Sequence, residues 1–466
     1  MNKTKVDDIN TAWFDFVDAD NFEFKMTAGI DENIVREISK QKNEPQWVLD
    51  LRLKALQIYE KLPMPTWGPD LSELNMNEIS TYVRPRAKKQ TSWDDVPENI
   101  KQTFDKLGIP KAEREYLAGV GAQYDSEVVY HSIKDELIKK GVIYTDFDSA
   151  IREYPDLVKK YFSKCTPLSE HKFIALHYAV FSGGSFVYVP KGVKLDQPLQ
   201  SYFRLNSPES GQFEHTLIIV EEGASLHFIE GCSAPKYSKI NLHAGCVELF
   251  VMDGATLRYS TIENWAKNMM NLNTKKAIVG KDANMIWVSG SFGSHISMLY
   301  PMSILSGENA RTEYTGISFA GATQNLDTGF KVVHAAPHTK SIVSAKSISK
   351  NGGISTYRGL VRIMPNAAHS SCSVSCDGLM LDDISRSDTI PVNDVGTADV
   401  QFSHEAKVGK ISEKAIFYLM SRGLTREDAV ALIVRGFANP ISKELPMEYA
   451  VEMNRLINLE LVGGIG

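Results

Sequence analysis

The feature that most constrains this chain is a repeat. Between about residues 165 and 405, the segments IIVEEGASLHF, LFVMDGATLRY, AIVGKDANMIW, SILSGENARTEY, VRIMPNAAHSSC and PVNDVGTADVQF share one design: an apolar strand, a tight polar or glycine turn, a small residue and a second strand. Anchoring on the small residue gives Ala224, Ala255, Ala283, Ala310, Ala368 and Ala398, with weaker members at Val193 and Thr339. The mean spacing is about 29 residues, a period at which one coil cannot bury its apolar face without its neighbours. The expected fold is mainly β: a right-handed parallel β-helix over 165–406, between a helical region at 1–164 and a helical region at 407–466. An antiparallel sandwich is the alternative, but sandwich strands repeat less regularly.

The flanks carry a helical period. Residues from about 30 to 160 place apolar side chains at three- and four-residue spacing, and prolines such as Pro45, Pro63, Pro97 and Pro110 cut the segment into separate helices. At the other end, 412–421, 425–437 and 446–461 read as amphipathic helices, with Gly423 and Gly436 as stops. With 51 basic and 57 acidic residues the net charge is -6, which opposes nucleic acid or an anionic membrane as the main partner. Asp7, Asp8, Asp15, Asp18 and Asp20 oppose an export signal, and the most apolar stretch, 172–190, is broken by Lys172, His177, Gly183 and Gly184. The expectation is a cytoplasmic chain with free thiols.

The ruler relates two of the five cysteines. Cys232 lies eight residues after Ala224, and Cys376 eight after Ala368; the same phase holds Ser201, Glu263, Ser291, Ser318 and Ser347. Such a small, polar column is either a path along the solenoid or a solvated outer face. Five coils at the ~4.8 Å strand spacing separate the two thiols by roughly 24 Å, so one metal cluster cannot use both. In the coil after Cys376 fall His404 and Glu405, and thiolate, imidazole and carboxylate together can hold iron or zinc, although no C-x-x-C pair is present. Arg204 and Trp265 fall close to the column; Arg204 and Lys275, if near a thiol, would lower its pKa against Glu230 and Asp377. Cys246 reads as packing. No Walker loop, G-x-S-x-G elbow or H-E-x-x-H occurs, so the chain itself is not expected to hydrolyse anything.

The motifs GQFEHT, IEGCSAP, NLHAGCVE, STIENW, STYRGLVRI and QFSHEA, together with KNEPQW, GVGAQYDSEVVYH and ELPMEYAVEMNRLI, resemble the SufB side of the SufB/SufD family of iron–sulfur cluster assembly scaffolds over nearly the whole chain. The resemblance implies a non-enzymatic scaffold that docks a SufC-type ABC ATPase through its C-terminal helices and pairs with SufD or a second SufB through the β-helix. A cysteine desulfurase with its carrier would supply sulfur. A nascent Fe–S cluster would form near the pairing junction, and a flavin in the complex is left open. By motif, Cys232 corresponds to the sulfur-accepting cysteine, and Arg204, Asn206, Glu263, Trp265 and Lys275 to positions lining the path. Cys376 and Glu405 correspond to cluster ligands, with His404 beside them. Glu263 stands where the family more often has Gln, Ser403 replaces the first carboxylate of an E-H-E pattern, and Cys246 stands where Val or Ala is expected. A SufD-like adaptor that ligates nothing is the alternative.

Overall fold

The computed structural model describes residues 22–444 and 447–462. Its centre is a β-solenoid of about eight turns with helices at both ends. One wall is a ten-stranded sheet in which parallel strands follow one another from Leu199–Arg204, through Ser225–Ser233 and Thr256–Trp265, to Val400–Lys410. The opposite wall carries two short strands per coil, such as Asn241–His243 and Cys246–Val251; these merge in the single long strand Ile354–Ile363, which pairs with both ladders. Inward-facing Leu226 and Phe228 of one wall pack with Leu249 and Val251 of the other, and this stripe continues along the solenoid as its core.

Each coil closes at the same backbone device. The residue preceding the small anchor lies in the left-handed region: Gly223 at φ 67°, Gly254 at 66°, Asp282 at 55°, Asn309 at 61° and His338 at 60°. Gly and Asn or Asp enter this region at least cost, so glycine or a short polar residue recurs there. The series continues at His369, φ 59°. The structural equivalent of the anchor is therefore Ser370, and the position read from sequence, Ala368, is displaced by two. The cause is the turn, which runs from Ile363 to Ser371 where the preceding coil runs from His334 to Lys340.

The N-terminal flank is less purely helical than its period suggests. Helices Glu32–Gln41 and Gln46–Lys61 form as expected, the first capped by Asp31 Oδ1 accepting from Ile34 N at 2.8 Å. But Gly119–Tyr124 and Glu127–Ile133 form an antiparallel pair that joins the ten-stranded sheet, and Ile143–Asp146 pairs antiparallel with Gly184–Val189. These strands cover the end of the solenoid that would otherwise be an open edge. In the C-terminal flank, Glu413–Ser421 is capped by Ser412 and followed by Gly423 at φ 95°. The next helix, Arg426–Ser442, runs through Gly436 instead of stopping there. Burial overrides the roughly 1 kcal/mol propensity cost of that glycine: Val434, Ala438 and Ile441 pack with Met453, Leu456 and Ile457 of the helix Met447–Val462 and with Phe319 and Ile348 of the sheet. The expected start of that last helix at Pro446 lies outside the described residues.

Candidate functional site

The polar column is real and internal over most of its length. Cys232 pairs with Glu263, Glu263 with Ser291, Ser291 with Ser318, and Ser318 with Ser347. Because side chains alternate along a strand, Cys232 shares the inward face of Leu226 and Phe228. At its two ends the ruler slips. Phe203, not Ser201, lies opposite Cys232, and Cys376 pairs with Ala345 while Gly378 takes the row of Ser347. A shift of two preserves the face, so Cys376 also points inward, in the row of Glu230, Thr261, Ser289 and Gly316.

Two small cavities lie along this interior. One, of about 10 Å³, is lined by Thr261, Glu263, Lys275, Ser289 and Tyr314. The other, of about 20 Å³, is lined by Ser289, Ser291, Tyr314, Ser318 and Cys376 among others. Ser289 and Tyr314 wall both. Each has about the volume one water needs, so the interior holds two water-sized voids and not an open tunnel, and Cys232 lines neither. The free cysteines are Cys165, Cys232, Cys246, Cys372 and Cys376; in the coils between Cys232 and Cys376, the inward rows of serine, threonine and tyrosine contain no thiol.

At the Cys232 end the charges form one network. Lys275 Nζ donates to Glu230 Oε1 at 2.8 Å, Glu263 Oε1 at 3.2 Å and Thr261 Oγ1 at 3.2 Å. Tyr259 donates to Glu230 Oε2 at 2.5 Å and Asn271 to Glu263 Oε2 at 2.7 Å. His243 bridges Asn271 Oδ1 at 2.8 Å and Glu214 Oε1 at 2.5 Å, and its ring lies 4.6 Å from that of Trp265. Burial would discharge Lys275, but Glu230 and Glu263 overcome this and hold its ammonium above the usual lysine range. The thiol does not follow the sequence-based expectation. Burial, then Glu230, Glu263 and Glu214, push Cys232 well above the normal thiol range, and Lys275 only partly offsets them. Arg204 gives no help: it pairs with Ser233, the neighbour of Cys232, so it lies on the outer face of the sheet, where its Nη1 donates to Ser233 Oγ at 3.2 Å. Asn206 is held by its backbone, whose N–H donates to Asp125 Oδ1 at 2.7 Å. Glu214, His243 and Asn271 escaped the sequence reading because the ruler was applied to one wall's column only; extending it to the short strands of the other wall would have found His243 and Asn271, which are register partners.

At the far end, Cys376 Sγ and His404 Nε2 lie 3.4 Å apart. Burial pushes the Cys376 thiol up to about 12, with the Tyr357 hydroxyl opposing and Asp377 adding, and burial lowers His404. Glu405 is not with them. It pairs with Ser375, on the opposite face of the strand, and is exposed, 2.9 Å from Lys407 Nζ. Among the described residues this end of the solenoid is open: Arg386–Val395 pairs only with Ile354–Ile363, and Val400–Lys410 only with Ser370–Met380. Ile390, Val392, Val395 and Val408 are exposed there. Nearby, helix Glu413–Ser421 exposes Phe417 and Tyr418. A larger cavity of about 550 Å³ opens on the outside of the other wall, lined by Trp67, Tyr300, Lys172, Lys276 and Lys331; Asn273 and Lys275 wall both it and the internal route.

The fold is a parallel β-solenoid with inward thiols at two separated points of its interior. The family model for the SUF system FeS cluster assembly SufBD core domain matches residues 203–437, and that for the SufBD protein N-terminal region matches 37–201. The chain belongs to the SufBD family of iron–sulfur cluster assembly proteins. It is 54% identical over 462 residues, 99% of each chain, to iron–sulfur cluster assembly SufBD family proteins of Staphylococcus aureus and Staphylococcus haemolyticus. Among the described residues, no helix is long and apolar enough to cross a membrane.

Proposed function

We propose that this chain is the SufB-type scaffold of a Suf assembly complex: sulfur is accepted at Cys232 and a nascent cluster forms at the Cys376 end. The observation that carries this reading is the row of inward polar side chains that runs from the buried Lys275, Glu230 and Glu263 network beside Cys232, past two water-sized voids, to Cys376. Covalent hopping between thiols has no stations along that row. Sulfur accepted as a Cys232 persulfide would leave it when a two-electron donor such as a dithiol reduces the S–S bond, regenerating the thiol and releasing sulfide, which is small enough for water-sized voids. Glu263 and Lys275 line its start, and Trp265 packs beside Cys232. Arg204 and Asn206 act from outside the route as positioning residues for the strand that carries them. Cys376 and His404 receive iron; a one-residue slip of the terminal strand would bring Glu405 to Cys376 in place of His404 and not beside it, because the slip turns every side chain to the other face.

The partners follow from surfaces. The unpaired strands at the open end suit edge-to-edge association with a second solenoid, SufD or another SufB. The exposed Phe417 and Tyr418 suit docking of a SufC-type ABC ATPase, which carries the hydrolysis this chain lacks. A cysteine desulfurase with its carrier supplies sulfur. The cavity of about 550 Å³, with two aromatic rings and three lysines, has the size and charge for an anionic, planar ligand such as a flavin. The outward placement of Glu405 favours a second reading, a SufD-like adaptor that ligates nothing. The test is to purify the tagged chain anaerobically from its own cells with its partners and measure iron and acid-labile sulfide. Near-equal iron and sulfide, lost in Cys376→Ser with partners still bound, supports the scaffold. Iron unchanged in Cys376→Ser supports the adaptor.

A further inference from the structure

A second cluster of metal-binding side chains lies on the outside of the solenoid wall, away from the route. His177 sits on helix Lys172–Val180, while His215 and Cys246 open neighbouring strands and are direct register partners. All three are buried, and one donor atom from each lies within 4.8 Å of the others.

The proton of the His177 ring is fixed by its outer neighbour. His177 Nδ1 lies 2.9 Å from Ala244 O, which can only accept, so Nδ1 carries the hydrogen. His215 Nε2 lies 3.4 Å from Glu248 Oε2. Glu248 is held as an acceptor by the N–H groups of Ser163 at 2.7 Å and of Cys165 and Thr166 at 2.8 Å, and His215 Nε2 makes no hydrogen bond although it is fully buried. His177 Nε2 and His215 Nδ1 face each other at 3.0 Å, and a single hydrogen on His215 Nδ1 joins them at the cost of leaving His215 Nε2 unpaired. An ion between the two rings removes that cost, because His215 can then carry its hydrogen on Nε2, toward the Glu248 carboxylate. A metal ion uses both lone pairs and the adjacent thiol at once, and a histidine backed by a carboxylate is the usual arrangement of a metal ligand.

We infer that His177 Nε2, His215 Nδ1 and Cys246 Sγ bind one divalent ion of the zinc class, distinct from the thiols of the assembly route. Two imidazoles and one thiolate suit a tetrahedral zinc ion, and the same three donors take copper where a weak axial ligand is added. Binding releases the Cys246 thiol proton to solvent; the thiolate and the Glu248 carboxylate then balance the two positive charges. With metal–nitrogen bonds of 2.0–2.1 Å, the two nitrogens part to about 3.3 Å, a movement of a few tenths of an ångström. The ion would tie the helix to two successive coils, with a water carried in on the metal completing its fourth position.

The test uses the full chain, purified anaerobically from zinc-supplemented medium, with metal content measured for wild type, Cys246→Val and Cys376→Ser. About one zinc per chain is expected in wild type and in Cys376→Ser, and at least a tenfold loss in Cys246→Val, whose side chain would satisfy a packing role. Should Cys246→Val not fold, wild type refolded from chelator-treated, unfolded protein with cobalt(II) decides: a thiolate-to-cobalt charge-transfer band in the near ultraviolet is expected, and it must persist in Cys376→Ser. Wild type without zinc and without that band, or Cys246→Val retaining full zinc, overturns the assignment.

Discussion

Replacing Lys275 by Met probes the charged network beside Cys232 most directly. The substitution keeps the aliphatic stem but removes three hydrogen bonds, and it leaves Glu230 and Glu263, which are 0% and 2% exposed, without their cation. Breaking a buried ion pair by removing one partner costs about 3–5 kcal/mol. In a solenoid each coil contacts only its neighbours, so the loss should be local. Amide hydrogen exchange read by mass spectrometry on the full chain measures this. Exchange in Ser225–Ser233 and Thr256–Trp265 should accelerate by roughly 10² to 10⁴, since each 1.4 kcal/mol is a factor of ten, while Lys340–Ser349 stays unchanged. Adding Glu263→Gln removes one uncompensated charge and should recover about half of the loss on a logarithmic scale. Acceleration below tenfold in the single variant, or an equal rise in distant coils, would refute the account of Lys275 as the cation that keeps these carboxylates buried.

Other consequences are open to measurement. The Cys376 thiol, pushed up to about 12, should alkylate with iodoacetamide at a rate that rises about tenfold per pH unit between 7 and 10; modification at neutral pH as fast as a free peptide thiol would contradict its burial. Glu460 is pushed up to about 7 by burial, against Lys267 and Lys350. For an acid with a raised folded pKa, the protonated folded form is the favoured one, so docking of the last helix should weaken by up to about 3 kcal/mol as pH rises from 5 to 8. Glu460→Gln should abolish that slope, as followed by exchange in Met447–Val462. Ala345→Leu intrudes on the cavity of about 20 Å³ next to Cys376; overpacking costs about 1–3 kcal/mol, and sulfide in the assembled complex should fall while persulfide at Cys232 persists. Phe417→Asp, on a side chain 73% exposed, should leave thermal stability of the chain unchanged and abolish retention of the ATPase on an affinity column.

The solenoid was legible because its period is enforced by backbone stereochemistry. A left-handed residue recurs before the anchors from Val193 to Ser370, and Gly, Asn or Asp advertises it at five of these seven. The reading failed where His369 took that place, because nothing in PNAAHSS distinguishes the small residue at 368 from the one at 370; the displaced row of Cys376 follows from that single ambiguity. The inward column from Cys232 to Ser347 was readable, but the raised thiol was not. It depends on burial beside Glu230 and Glu263, on Glu214 from the opposite wall, and on Arg204 facing away by strand alternation. The long helix through Gly436 was hidden because tertiary burial outweighed a local stop signal. The cluster of His177, His215 and Cys246 is built by docking a helix on two coils, a contact that no spacing in the chain encodes.

The lengthened turn before Ser370 also shows how such a chain accommodates a change in length. His334 pairs with Ile363 before the turn and Lys340 with Ser371 after it, so the strands on both sides keep their register and the turn alone takes up the two extra residues. A turn on this surface can therefore gain residues, odd or even in number, while every inward side chain of the coil keeps its row. The ladders set the interior, and the loops between them are free to differ.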